Sequence, residues 1–106
     1  LPQNANLLEL DAHYNNIVDL DTSLYENLTF LNFGNNNLTE LDVSNNINLE
    51  SLSIYNNAIT NIDLTNNPAL KIFGGSANYI INLDLRNNPN LEYLYMGVNP
   101  LISIDL

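Results

Sequence analysis

Five aspartates recur at an interval of 21 residues: Asp21, Asp42, Asp63, Asp84 and Asp105. Carboxylates repeated at one structural position admit three kinds of chemistry. They can form a row of divalent-cation sites, since Ca²⁺ takes about six to eight oxygens and accepts clustered carboxylates. They can accept hydrogen bonds from neighbours. Thr39, Thr60, Ser44 and Thr65 lie close by, and Arg86 can pair with Asp84 or a neighbour. They can also be a plain solvated face. Like charges one strand apart repel, so something should offset the row, and a hydrogen-bonded ladder is the preferred reading. Neither an EF-hand loop nor a Gly-Gly-x-Gly-x-Asp tract supplies the further oxygens a calcium site wants.

Catalytic constellations are thin. His13 is the only histidine, and a Ser/His/Asp site would need a serine brought beside it. The regular serines sit on other repeats without a nucleophile-elbow motif. Paired acids for glycoside hydrolysis need one raised pKa within a cleft, which a short rod of uniform coils does not offer. Gly74-Gly75 lacks the lysine and the spacing of a phosphate loop. With no cysteine, disulfides, thiolate metal sites and cysteine nucleophiles are excluded. The chain therefore reads as a non-enzyme with no cofactor and no metal.

Twelve acidic residues face only Lys71 and Arg86, a formal net charge of −10. Nucleic acid is bound through Lys and Arg, so that partner is excluded, and an anionic membrane surface is disfavoured too. No run of 18 apolar residues is present to insert into a membrane. The acidity reads mainly as solubility, with cationic partners the second option. The chain opens at Leu1-Pro2 with no visible signal peptide, which is read as trimming, with targeting signals expected in the missing ends.

The positioning elements are short. Half-repeats begin at Leu7, Ile17, Leu28, Leu38, Leu49, Ile59, Leu70, Ile80, Leu91 and Leu101, their lengths alternating between 10 and 11. Most read L-x-x-L-x-L-x-x-N, with L any apolar residue, as in Leu49-x-x-Leu52-x-Ile54-x-x-Asn57. Apolar residues at the fourth and sixth places give the period of two of a strand. Asn15, Asn36, Asn57, Asn78 and Asn99 close the short halves; Asn46, Asn67 and Asn88 close the long ones. An Asn side chain offers an acceptor and two donors, so a stacked Asn can satisfy the turn after each strand and link to the next coil. Pro68, Pro89 and Pro100 each follow a ladder Asn, where fixed φ suits the turn. The half from Ile17 is degenerate, with Thr22 at an apolar place and Tyr25 where Asn is expected. Gly75 falls at a core place, which predicts weaker local packing and a dent unless neighbours fill it.

L-x-x-L-x-L-x-x-N-x-L is the core of the leucine-rich repeat. Over about Leu7 to Leu106 the chain resembles bacterial surface leucine-rich-repeat proteins of internalin-like type, most of all the short nested 20–21-residue variant of Bacteroidetes. The resemblance implies an extracellular or cell-surface location on the bacterial envelope. The expected fold is a mainly β, right-handed leucine-rich-repeat solenoid of about five 21-residue coils. Each coil should carry two short parallel strands and little or no helix. Residues 1–106 form one domain, with 1–6 as a partial N-terminal cap and an uncapped C-terminal end open to self-association.

Residues that obey the repeat hold the coil; residues that vary are free to read a partner. The long-half face hardly changes. Along the short-half face the residues change with every coil, and Phe30, Glu50, Tyr55, Lys71, Glu92, Tyr93 and Tyr95 are the candidate binding residues. Aromatic residues rimmed by polar groups are interface composition, and the resemblance places partners on that strand face. Phe30 has a second destination, inward against the N-terminal coil. The competing reading is that Tyr is simply a good strand former. The expected function is a noncatalytic module docking a protein or peptide, host proteins included. A structural spacer in a longer adhesin array and a carbohydrate- or Ca²⁺-assisted surface module are the alternatives. The sequons Asn27-Leu-Thr29 and Asn37-Leu-Thr39 read as coincidence.

Overall fold

Each half-repeat is too short to bury an apolar face on itself, so its leucines must pack on the neighbouring coils. The computed structural model, which describes residues 6–106, shows how. The short halves supply β1 (Glu9–Asp11), β2 (Phe30–Asn32), β3 (Ser51–Ser53), β4 (Ile72–Gly74) and β6 (Tyr93–Tyr95). These pair in parallel in the order β1-β2-β3-β4-β6. The register is one repeat per strand, Leu10 beside Leu31, Leu31 beside Leu52, Leu52 beside Phe73 and Phe73 beside Leu94. On the other side, β5 (Asn82–Asp84) pairs with β7 (Ser103–Asp105). The earlier long halves run without regular strand, yet neighbouring coils stay linked there: Asn37 N–H donates to Ile17 O at 2.9 Å, and Ala58 N–H to Leu38 O at 2.8 Å. No helix occurs among the described residues, and so none is long and apolar enough to cross a membrane. Most of the expected cap, residues 1–5, lies outside the described residues.

The core is a set of columns running along the stack. Leu28, Leu49 and Leu70 form one; Leu38, Ile59 and Ile80 another; Phe33 and Ile54 share a third, all without exposed area. Full burial of one such aliphatic side chain is worth about 1.5–3 kcal/mol. Thr22 and Tyr25 are buried as well, so the degenerate half still faces the core.

At Gly75 neighbours fill the place, so no dent forms. A Cβ added there would lie 2.8 Å from Met96 Sδ and 3.0 Å from Phe73 Cζ. Phe73 stands where its neighbours in the column are Leu52 and Leu94, and its larger ring, with Met96, fills the space the glycine leaves.

Every short half ends in a left-handed residue directly before the ladder Asn: Tyr14, Asn35, Asn56, Ala77 and Val98, with φ between 54° and 58°. A non-glycine residue there costs about 1–2 kcal/mol, so the bonds that hold this turn must offset the strain.

Candidate functional site

Those bonds come from the short-half Asn ladder. Asn57 Nδ2 donates to Ile54 O (2.9 Å) and Tyr55 O (3.3 Å) within its own turn and to Phe33 O (2.9 Å) in the coil before. Its Oδ1 accepts the Leu38 N–H at 3.0 Å. Asn36, Asn78 and Asn99 repeat the pattern, their Oδ1 atoms accepting from Ile17, Ile59 and Ile80. Asn15 Nδ2 donates to Ala12 O and His13 O. The amide thus fixes the strained turn and ties each short-half strand to its neighbour, which makes the outward face a rigid platform.

The long-half ladder works differently. Asn46 Nδ2 donates to Thr22 O and Tyr25 O, both at 3.0 Å, and its Oδ1 accepts the Thr22 hydroxyl at 2.7 Å. Asn67 and Asn88 repeat the donations, to Val43 O and Asn46 O and to Leu64 O and Asn67 O. Their own Oδ1 atoms are buried and accept nothing. Val43 and Leu64 occupy the place of Thr22 and have no hydroxyl to donate.

The Asp row is hydrogen-bonded. In each of four members Oδ1 accepts the backbone N–H two residues on: Asp21 from Ser23, Asp42 from Ser44, Asp63 from Thr65 and Asp84 from Arg86, at 2.9–3.0 Å. The Thr65 hydroxyl also donates to Asp63. Arg86 grips Asp84 through Nε (3.0 Å) and Nη2 (2.8 Å). The bonds come from Ser23, Ser44, Thr65 and Arg86, and Thr39 and Thr60, expected as partners, take no part. The hydroxyl and backbone N–H of Ser23, Ser44 and Thr65 hold the carboxyls of Asp21, Asp42 and Asp63 below the ordinary value of 3.8, and Arg86 takes Asp84 to about 2. Asp42 and Asp63 line a shallow groove with Asp19, Glu40 and Asn61. None of the four shifted carboxyls is raised, as a general acid at neutral pH would have to be. No group of three or more His, Asp or Glu among the described residues is arranged to hold a metal ion.

On the short-half face, Tyr93 and Tyr95 bracket the inward-facing Leu94 and are 55% and 57% exposed. Ile72, in register with Tyr93, is 38% exposed. Phe30 is half-buried at an outward place of β2 beside Glu9. Lys71 Nζ pairs with Glu50 Oε1 at 3.0 Å, so Glu50, Lys71 and Glu92 form an alternating row along one side of the Tyr pair. Tyr55 lies half-buried away from that pair, its ring over Gly34. The structure therefore brings Tyr93, Tyr95, Lys71 and Glu92 together on adjacent strands and sets Tyr55 and Phe30 on coils nearer the N-terminus. His13 Nδ1 and Asp11 Oδ1 are 2.5 Å apart, and His13 packs edge-on to Tyr14.

Two solved structures fix what this arrangement is. The functional domain of InlJ from Listeria monocytogenes, which includes a cysteine ladder, superposes with a TM-score of 0.87 at 30% identity over 89% of the chain. The leucine-rich-repeat protein LIC12759 of Leptospira interrogans superposes at 0.90 with 26% identity over 94%. The chain is an internalin-like leucine-rich-repeat solenoid. An internalin, inlF of Listeria monocytogenes, shares the leucine-rich-repeat fold at 0.82 and 22% identity over 96%. The chain spans 21%, 28% and 35% of those three proteins. No protein-family model matches it, and no curated protein sequence does. Unlike the InlJ domain, which includes a cysteine ladder, this chain has no cysteine.

Sequence reasoning missed one feature of this leucine-rich-repeat face, the packing of Tyr55 on Gly34. Its signal was available: the two are one repeat apart, at the same place in neighbouring coils. Tyr79, exposed beside Ala77 on the turn edge, was not singled out either.

Proposed function

We propose that this chain is a noncatalytic protein-interaction module of a bacterial surface or secreted protein, docking its partner through the short-half face. The observation that carries the reading is the pair Tyr93 and Tyr95, each more than half exposed beside Ile72 on β6, the edge strand of the short-half sheet, which is held by β4 on one side. Exposed aromatic rings on a rigid platform give contact area at small entropic cost. The likeness to internalins supports both the binding role and the surface location.

The test is selection of binders from a displayed random-peptide library on the immobilised chain. Selected peptides should lose binding to the double variant Tyr93→Ser/Tyr95→Ser, while its melting temperature stays near that of the wild type. Binders indifferent to the two substitutions would overturn the reading.

A further inference from the structure

Two glycines of the short-half face stand one coil before a tyrosine, and the two pairs are built differently. At Gly34 an added Cβ would collide with the ring of Tyr55, which lies flat over the glycine and buries it. At Gly74, in register with Tyr95, the three atoms nearest to an added Cβ all belong to Ser53, at 3.4–3.9 Å. Tyr95 does not close over Gly74, and its ring stays 57% exposed. Gly97 follows Tyr95 on its own coil, and Ser76 lies one repeat before Gly97. No side chain larger than serine therefore flanks the ring at these places. Ser53 and Tyr95 are two strand spacings apart, roughly 10 Å, with Gly74 as the floor between them.

The electrostatics narrow the occupant. Lys71 is held by Glu50 and Arg86 by Asp84, so both cations of the chain are already engaged. Glu92, three residues before Tyr95, forms no salt bridge among the described residues but acts on Lys71, so the row of Glu50, Lys71 and Glu92 keeps one net negative charge. At about 3.3 Å per residue Glu92 lies about 10 Å from Tyr95, roughly one Debye length at ordinary ionic strength. The slot is thus flat, walled by an aromatic ring and negative in potential. An arginine guanidinium is planar, weakly hydrated and stacks on aromatic faces, while a lysine ammonium is a compact, strongly hydrated point charge.

Resting on the binding reading above, we propose that the slot floored by Gly74, between Tyr95 and Ser53, takes an arginine side chain from an extended segment of the partner protein. Tyr95 stacks on the guanidinium, and Glu92 supplies the field that draws it in.

The peptides selected on the wild-type chain decide this. They should be enriched in arginine, and replacing that arginine by lysine or by neutral citrulline should weaken binding about fivefold or more, the scale of one cation–π contact. Gly74→Val fills the slot with a side chain that suits a strand. It should weaken the arginine peptides to the same extent without lowering the melting temperature; Gly74→Ala is the milder variant should valine disturb the coil. Selected peptides that need Tyr93 and Tyr95 but carry no arginine, or that bind Gly74→Val and Gly74→Ala unchanged, would overturn the slot and leave the protein-interaction reading standing. Absence of any tyrosine-dependent binder would overturn both.

Discussion

Asn57 Oδ1 accepts the backbone N–H of Leu38, 19 residues earlier, at 3.0 Å. That single bond joins the turn of one coil to the start of the long half in the coil before. The same amide donates to three carbonyls, so one side chain holds a left-handed turn and the stacking together.

Asn57→Ala should therefore be costly. It leaves the buried Leu38 N–H without its acceptor, whereas Phe33 O, Ile54 O and Tyr55 O keep donors in Asn36, Asn78 and the Asn35 N–H. An orphaned buried group costs about 1–3 kcal/mol, and a loss on that scale is expected in denaturant unfolding. A loss below about 1 kcal/mol would show that the ladder is ornamental.

Val43→Thr should behave unlike an ordinary buried hydroxyl. Thr22 donates to Asn46 Oδ1, whereas the equivalent Asn67 Oδ1 is buried without a donor. A threonine at residue 43 places a hydroxyl at that acceptor. Burying an unpaired hydroxyl costs about 1–3 kcal/mol in proteins; here the change should fall within about 1 kcal/mol of wild type or stabilise. A penalty of 2 kcal/mol or more in the unfolding curve would contradict the assignment, on the same scale.

Gly34→Ala should push the Tyr55 ring off its seat, since the added methyl occupies the ring's place. Overpacking of this kind costs about 1–3 kcal/mol. Tyr55→Ser removes the obstacle, so a double-mutant cycle should return a coupling well above the additivity error of about 0.5 kcal/mol. Additive losses would mean the two residues do not touch in solution.

Acid should destabilise the coil through the Asp row. The folded carboxyls lie below the ordinary 3.8, Asp84 at about 2 because Arg86 grips it. Their contribution is therefore complete above about pH 4 and is lost as pH falls through the folded values. The melting temperature should drop between about pH 4 and pH 2, and Asp84→Asn should flatten part of that drop. A melting temperature that rises on acidification would mean that repulsion along the row outweighs its hydrogen bonds.

Much of this was legible in the chain itself. A fixed repeat of 21 residues dictates which residues become neighbours, so the apolar columns, the parallel short-half sheet and the Asn ladder follow from spacing. Asn at the end of each short half reveals its role because no other side chain offers both donors and an acceptor at so small a size.

The tertiary structure decided what fills each place. Spacing marks Gly75 as a hole, but the size of Phe73 and the reach of Met96 close it. Spacing puts Gly34 one coil before Tyr55 and Gly74 one coil before Tyr95, yet it does not say that the first ring lies over its glycine and the second stands clear. The Asp row accepts its hydrogen bonds from Ser23, Ser44, Thr65 and Arg86, because the turn two residues on carries those N–H groups to the carboxylate. Periodicity sets adjacency along the stack; the volumes and rotamers of particular side chains set contact, and those exist only once the coils have met.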